Sequence, residues 1–310
     1  MSHNTEKIGG VTLDYDDYIG KDLYVDGSEE LLLELVQKHD PSEYNRLIKE
    51  NGTWAVLYHL SHIRGNIVDF LPITKEDKVL EIGSGCGAIT GTLAGKAGRV
   101  DCIELSRARS LVNANRNKAC DNITIKVGNF QTVEEKLTEK YDYITLIGVF
   151  EYAKSYIQDK APFDTFLQMI KNHLAPGGKI VIAIENKFGL KYFAGCREDH
   201  VGLYYTGLEG YPSSDSVETF SRDELKRIAE RNGLDDITFY YPYPDYKLPQ
   251  TIYSDEYLPQ VGELTNNYRN FDGDRMINFN ESKVFDEIIK DGKFPFFSNS
   301  YLVLLGERKQ

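Results

Sequence analysis

From residue 77 onward, short apolar segments alternate with amphipathic ones, and this alternation restricts the fold more than any other feature. Strands are predicted at 79–82, 99–104, 123–127, 143–149 and 179–184, with helices at 88–96, 106–118, 132–137 and 163–174. The segment 143–149 is an almost unbroken apolar run, which is typical of a strand covered on both faces. The sequence therefore predicts an α/β fold with a mostly parallel sheet between layers of helices.

Three segments lie outside this alternation. Residues 28–71 have the spacing of three helices, the third over 53–70, and a short hairpin is predicted within 11–24. The segments 185–220 and 242–298 show no clear period, whereas 222–231 is a well-capped helix and 237–241 and 301–305 are strands. We therefore predict a helical cap over 1–75 and a core over 76–310 with insertions at 185–220 and 242–298.

Composition narrows the range of partners. The chain has 48 acidic and 36 basic residues and a formal net charge of -12, which disfavours binding to a phosphate backbone. No apolar run is long enough to cross a bilayer, and the start, MSHNTEKIGG, lacks the apolar stretch of a secretion signal. The four cysteines form no CxxC pair. We expect a reduced, cytoplasmic protein without a membrane span or a nucleic-acid partner.

The turn after the first core strand carries the strongest motif. It reads Val79-Leu80-Glu81-Ile82-Gly83-Ser84-Gly85-Cys86-Gly87. Glycine lets the backbone turn sharply and approach a ligand, and the helix that follows favours an anionic group. The methionine carboxylate of S-adenosylmethionine (SAM) fits there, with Glu81 near its ammonium group. Because Gly83, Gly85 and Ala88 also match the dinucleotide fingerprint, the loop alone leaves SAM, NAD and a purely structural turn open.

Three further positions extend this predicted cofactor site. Glu104, followed by Leu105, ends the next strand, where a carboxylate accepts hydrogen bonds from ribose hydroxyls. Asn129 and Phe130 follow the third strand, where an amide oxygen and an aromatic face suit adenine. Gly148 follows the central strand, in a segment that we expect to border both cofactor and acceptor. A helix-start acid and a turn asparagine are the simpler interpretations of Glu104 and Asn129.

In this order and context, the motifs resemble the class I SAM-dependent methyltransferase family over Asp77 to Leu305. The run LIGVFEYA after the fourth strand and HLAPGGKIVIAIEN leading into the fifth complete the resemblance. The Pro-Gly-Gly turn at 176–178 favours this family over NAD dehydrogenases. The resemblance implies a Rossmann-like sheet of seven strands, the last antiparallel, and SAM as the cofactor. Many members have Asp at position 129, so Asn129 keeps the acceptor oxygen without the charge.

The segment from Glu185 to Tyr211 resembles bacterial methyltransferases associated with surface-polysaccharide genes. Tyrosines there and after the fourth strand offer flat faces with polar tips, so we assign acceptor contacts to Tyr152, Tyr192, Tyr204, Tyr205 and Tyr211. The acceptor is expected to be a small or medium polar molecule methylated on oxygen or nitrogen. A sugar or glycan precursor is the first choice, then a secondary metabolite or peptide. An NAD-dependent oxidoreductase and a non-catalytic SAM-binding regulatory subunit are the remaining alternatives.

Removal of a proton from the acceptor needs a base, and three residues are candidates. His200 lies in the first insertion beside Asp199, and its ordinary pKa suits neutral pH. Glu185 ends the fifth strand, and Glu151 follows the fourth. His59 and His62 are spaced to share a helix face, but no acid or cysteine pattern accompanies them, so no metal site is predicted.

Overall fold

A computed structural model describes residues 4–212, 214–267 and 273–308. The polar start at 1–3, position 213 of the first insertion, positions 268–272 of the second and residues 309–310 therefore lie outside the described part. The chain forms two compact units. The first comprises residues 1–146 and 173–179, and the second comprises residues 147–172 and 180–310.

The first unit is built on parallel strand pairs. Its strands are β1 (Thr5–Ile8), β2 (Val11–Asp14), β3 (Lys78–Ile82), β4 (Arg99–Glu104), β5 (Ile123–Val127) and β6 (Tyr141–Ile147). They lie in the order β1-β2-β5-β4-β3-β6, and every pair except β1 with β2 is parallel. Val79, Leu80, Val100 and Ile125 are fully buried, as expected for strands covered on both faces.

The described part of this unit contains seven α-helices. They are α1 (Glu29–Lys38), α2 (Tyr44–Asn51), α3 (Trp54–Leu60), α4 (Asn66–Asp69), α5 (Thr90–Lys96), α6 (Arg107–Arg116) and α7 (Phe130–Glu134). A buried apolar cluster joins Leu32 of α1, Leu47 of α2 and Leu60 of α3 to Val112 of α6 and to Cys86 in the glycine turn. The N-terminal helices are therefore packed against the turn that carries the strongest motif. The predicted boundary at 75/76 stays a prediction.

Two sequence predictions for the N-terminal region are wrong in detail. The hairpin lies at 5–14 rather than within 11–24, because Gly9, with φ of 58°, makes its turn. The predicted helix over 53–70 is broken at Ser61, which adopts an extended conformation and accepts a hydrogen bond from the Ile63 amide. His59 and His62 consequently do not share one helix.

Antiparallel pairing dominates the second unit. Strand β7 (Leu174–Glu185) begins in the first unit and ends in the second, which also contains β8 (Asp236–Tyr243), β9 (Thr251–Ser254) and β10 (Ser300–Gly306). The order is β7-β10-β8-β9, with each pair antiparallel. Its helices are α8 (Ala153–Tyr156), α9 (Pro162–Lys171), α10 (Leu190–Phe193), α11 (Arg222–Arg231), α12 (Glu281–Lys290) and α13 (Phe294–Phe297).

The mixed β-structure, with the last strands antiparallel, confirms the Rossmann-like prediction. All seven predicted strands are present as β5, β4, β3, β6, β7, β10 and β8, and β1, β2 and β9 are additional. The segment 242–298 is more regular than predicted, since it contains β9, α12 and α13. The Pro-Gly-Gly sequence is not a turn before a strand but part of β7, where Gly177 has φ of 81°. Within the described ranges, no helix has the length and apolar character that a bilayer span requires.

Candidate active site

The glycine turn of the first unit has the geometry expected of a ligand-binding loop. Gly83, Gly85 and Gly87 have φ of 70°, 53° and 76°, a region that L-residues rarely adopt. A Cβ on Gly87 would lie 2.3 Å from Asn113 Oδ1, so this glycine is required for packing. A Cβ on Gly85 would have Arg109 Nη1, at 4.0 Å, as its nearest neighbour. The space above Gly85 is therefore open to a ligand, whereas Ser84 beside it is buried.

Two buried carboxylates flank this turn. Glu104 accepts hydrogen bonds from the Gly85 amide at 2.7 Å and the Ser106 amide at 2.9 Å, and burial raises its pKa. Glu81 accepts a bond of 2.6 Å from the Thr90 hydroxyl. Burial raises the pKa of Glu81 to about 7, because the ionised form loses its hydration there. Both carboxylates lie beside the glycine turn, and their contacts with the ammonium group and the ribose hydroxyls of the cofactor stay predictions.

The remaining predicted cofactor residues have less direct support. Asn129 caps α7 by accepting a hydrogen bond from the Gln131 amide at 2.9 Å, which is the turn role considered as the simpler alternative. Leu105 and Phe130 are half-buried beside these elements. Gly148 belongs to the second unit, and its missing side chain is explained by Tyr246, whose hydroxyl would lie 2.8 Å from a Cβ. Their contacts with the cofactor stay predictions.

The N-terminal segment adds charged residues that sequence reasoning missed. Arg109 donates to Asp26 at 2.6 Å and to Glu29 at 3.0 Å, and the His59 imidazole lies 3.5 Å from Asp26. The His59 hydrogen bond is the main cause that holds the pKa of Asp26 below its ordinary value. Because Arg109 is also the side chain nearest to the open face of Gly85, this ion-pair group borders the glycine turn. No motif marks Asp26, Glu29 or Arg109 in the sequence, and His59 stands out only through its spacing from His62.

In the second unit, the structure brings together the three predicted bases. Glu151 follows β6, Glu185 ends β7, and His200 comes from the first insertion. The His200 Nε2 atom lies 3.4 Å from a Glu151 carboxylate oxygen and 3.7 Å from a Glu185 oxygen. The side chains of all three are at most 7% exposed. These groups form a single buried cluster, although they are far apart in sequence.

The acid that orients His200 is Glu198 rather than its neighbour Asp199. The Nδ1 atom of His200 lies 2.9 Å from Glu198, whose carboxylate also accepts from the Val201 amide at 2.6 Å. Burial alone would lower the pKa of His200, but Glu185, Glu151 and Glu198 raise it well above its ordinary value. These three carboxylates stabilise the protonated form of His200, whereas a base needs the neutral ring, and the assignment of His200 as the base stays a prediction.

Carboxylate oxygens in the cluster lack close hydrogen-bond donors, although His200 Nε2 lies 3.4 Å and 3.7 Å from two of them. Both oxygens of Glu151 and the Oε2 of Glu185 are buried and have no hydrogen-bond partner among the described residues. The other oxygen of Glu185 accepts from Lys247, and burial raises the pKa of this carboxyl group. A buried acceptor without a donor costs on the order of 1–3 kcal/mol, and more when it is charged. An ordered water, an ion or a ligand can satisfy such groups.

Two partly buried lysines, Lys191 and Lys247, connect the cluster to further acids. Lys191 lies 2.9 Å from Asp199 and 2.8 Å from Asp245, and Lys247 lies 2.7 Å from Asp199. Burial opposes ionisation of Asp199, but these lysines hold its pKa well below the ordinary value. Sequence reasoning missed both lysines and Asp245, since they belong to separate irregular segments.

The predicted acceptor-binding tyrosines fall into two groups. Tyr192 and Tyr211 are buried, and their hydroxyls donate to Asp199 and Glu198. Both hydroxyls hold acids in place, and the predicted contacts of these two tyrosines with an acceptor stay a prediction. Tyr152 is half-buried, and its ring packs edge-on against His200 with the centroids 5.4 Å apart. Tyr204 is half-buried and Tyr205 is exposed, so these three keep accessible surface.

Comparison with known proteins identifies the family. The sequence model of a methyltransferase-domain family matches residues 41–238. Protein-L-isoaspartate O-methyltransferase 2 of Archaeoglobus fulgidus is 31% identical over 131 residues, which cover 40% of this chain and 52% of that protein. The human mitochondrial ubiquinone biosynthesis O-methyltransferase is 25% identical over 218 residues, which cover 64% of this chain and 56% of that protein. The match thus spans about half the length of these curated relatives.

Among solved structures, a SAM-dependent methyltransferase from Archaeoglobus fulgidus aligns over 84% of this chain and 99% of its own, with 15% identity and a TM-score of 0.48. The family match covers well over half of the present chain and includes the glycine turn, Glu104 and the segment after β6. It decides between the cofactors that the glycine turn alone left open, in favour of SAM. The chain belongs to the class I SAM-dependent methyltransferase family.

Proposed function

We propose that the protein transfers the methyl group of SAM to an oxygen or nitrogen atom of a small or medium polar acceptor. A sugar or glycan precursor is the first candidate, and a secondary metabolite or peptide is the next. The single observation that supports a polar acceptor is the group of unpartnered carboxylate oxygens on Glu151 and Glu185. An apolar acceptor would leave these oxygens without donors, whereas hydroxyl or ammonium groups would supply them.

The reaction that we propose is an in-line displacement. A lone pair of the acceptor atom forms the new bond to the methyl carbon, and the S–CH₃ bond breaks with its electron pair going to sulfur. S-Adenosylhomocysteine leaves as a neutral thioether. The acceptor hydroxyl or ammonium loses its proton, for which a carboxylate of Glu151 or Glu185 is the proposed acceptor. His200, which lies 3.4 Å from Glu151 and 3.7 Å from Glu185, would keep the two carboxylates in place.

Accessible tyrosines support the choice of an acceptor with both flat and polar surface. Tyr152 touches His200, and Tyr204 and Tyr205 pack with their ring centroids 6.1 Å apart. Such rings combine apolar faces with hydroxyl tips and suit sugar rings. The chain carries a net charge of -12, which agrees with an uncharged or cationic acceptor better than with a nucleic acid. The four cysteines are unpaired, which supports the proposed cytoplasmic location.

An acceptor screen tests this proposal. Purified protein with SAM would be incubated with sets of sugars and nucleotide sugars, amines, phenolic metabolites and short peptides, and S-adenosylhomocysteine would be measured. We expect turnover with a hydroxylated or aminated class, and its loss in Glu151→Gln while Glu256→Gln, at an exposed acid of the same unit, keeps full activity. SAM binding without turnover on any class would contradict the proposal and favour a regulatory subunit.

A further inference from the structure

We propose that Glu151, Glu185 and His200 form a binding site for one divalent cation of the Mn²⁺ class. Each of the three residues offers one ligand atom, and these atoms lie within 4.8 Å of one another. This inference goes beyond the proposed function, because cation binding requires neither SAM nor an acceptor.

The spacing of the ligand atoms suits a metal. The His200 Nε2 atom lies 3.4 Å and 3.7 Å from oxygens of Glu151 and Glu185. Metal–ligand bonds of about 2.1 Å place neighbouring ligand atoms roughly 3.0–3.5 Å apart in octahedral or tetrahedral geometry. The three ligand atoms all lie within 4.8 Å of one another, so the two carboxylates would have to draw closer together to bind one ion. The oxygens concerned are also those left without hydrogen-bond partners in the described part of the chain.

Outer contacts orient the ligands as they do in known metal sites. A metal-binding histidine usually donates its second ring N–H to a carboxylate, which fixes the ring and the tautomer. Here Nδ1 of His200 lies 2.9 Å from Glu198, which leaves Nε2 facing Glu151 and Glu185. Glu198 is itself held by the Tyr211 hydroxyl at 3.0 Å. Lys247 binds one oxygen of Glu185 and leaves the other oxygen for the ion.

The charge of the cluster also favours a cation. Its ion-pair network contains five carboxylates, two lysines and one histidine. Negative charge thus exceeds positive charge at a place where the ligand side chains are at most 7% exposed. Two carboxylates and one imidazole suit Mn²⁺, which accepts oxygen ligands readily and tolerates nitrogen.

A bound cation would assist the proposed methyl transfer without adding a reactant or a product to it. A metal ion that coordinates an acceptor hydroxyl lowers the pKa of that hydroxyl, so the proton leaves more readily. This role would be additional to binding, and the test below does not depend on it.

The test uses tag-free protein and Mn²⁺ alone. Binding removes the six-line electron paramagnetic resonance signal of free Mn²⁺, so titration gives the stoichiometry and the affinity. We expect one ion per chain in the wild type and at least a tenfold loss of affinity in Glu151→Gln and in His200→Gln. Matched controls at exposed residues, Glu256→Gln and His62→Gln, should bind Mn²⁺ as the wild type does.

A second measurement on the wild type avoids dependence on variants that fold poorly. Electron spin echo modulation of bound Mn²⁺ should show coupling to one ¹⁴N nucleus, as expected for the His200 ring. An unchanged free-ion signal at millimolar Mn²⁺, bound Mn²⁺ without nitrogen coupling, or equal affinity in folded Glu151→Gln would each overturn the metal site. Because no methyl transfer is measured, these results leave the proposed acceptor chemistry to its own test.

Discussion

The candidate functional site of the first unit is formed mainly by the backbone, whereas that of the second unit is formed by side chains. In the first unit, the feature is a turn of three glycines at the end of β3, shaped by backbone conformation and flanked by Glu81 and Glu104. In the second unit, it is a buried cluster of side chains, with Glu151, Glu185 and His200 contributed by separate segments. A site made from backbone leaves a continuous signature in the sequence, whereas a site made from scattered side chains does not.

Substitution of Gly85 should have the largest effect and falls in the first unit only. In Gly85→Val, a branched side chain would enter the open space above the turn and strain a residue with φ of 53°. We expect SAM affinity to fall by more than about a hundredfold in calorimetry, because Cβ and both methyl groups take the place of the cofactor. Gly95→Val, in an exposed helical position with open space, should leave affinity nearly unchanged.

Substitution of His200, in the second unit, should lower turnover without changing SAM affinity. In His200→Gln, Glu151 and Glu185 lose the side chain that holds them in place, so turnover should fall by roughly a hundredfold, within the usual range for loss of general-base catalysis. SAM affinity measured by calorimetry should stay within about twofold of the wild type, since Glu81, Glu104 and the glycine turn lie in the other unit. If folded His200→Gln also loses SAM affinity, SAM binding does not depend on the first unit alone.

The pH dependence of SAM binding tests the electrostatics of the first unit. Glu81 is buried with a pKa of about 7, so it is mostly neutral at pH 6 and mostly ionised at pH 8. Only the ionised form attracts the ammonium group of SAM, and affinity should therefore rise severalfold over this interval. Glu81→Gln should bind SAM more weakly and without this rise, while Glu76→Gln, at an exposed acid, keeps the wild-type profile. If the SAM affinity of the wild type does not change between pH 6 and pH 8, Glu81 does not bind the ammonium group of SAM.

The smallest effect concerns the buried tyrosines of the second unit. Tyr211→Phe removes hydroxyl bonds to Glu198 at 3.0 Å and Thr219 at 2.6 Å. We expect the free energy of unfolding to fall by about 1–2 kcal/mol in urea titration, because a buried acid loses a donor. Tyr205→Phe, with an exposed ring, should change it by less than about 0.5 kcal/mol. If Tyr211→Phe has unchanged stability and a raised KM for the acceptor, Tyr211 contacts the acceptor instead.

The sequence predicted the core of the first unit well, because periodicity and turn chemistry are local. β4 and β5 have the predicted bounds, and the glycines of the β3 turn have the positive φ that their role requires. The helix break at Ser61 was not predicted, because the helical spacing of apolar residues continues across it. The break is visible only in the structure, where the Ser61 hydroxyl accepts a hydrogen bond from the Ile63 amide.

The second unit was predicted less completely, because its determinants are contacts distant in sequence. Glu151, Glu185 and His200 were each recognised from their position after a strand or in an insertion, but their proximity depends on the fold. Lys247 and Glu198 have no motif, and the raised pKa of His200 follows only from the carboxylates around it. The burial of Tyr192 and Tyr211 is equally invisible in the sequence, because a tyrosine suits both a core and a binding surface.

The central claim is that the glycine turn and Glu104 hold SAM, and a crystal structure with S-adenosylhomocysteine tests it most directly. The ribose hydroxyls should lie within hydrogen-bond distance of the Glu104 carboxylate, with the amino-acid end of the ligand above Gly85. A ligand bound elsewhere, or a turn whose open space above Gly85 is filled by the protein's own side chains, would contradict the account.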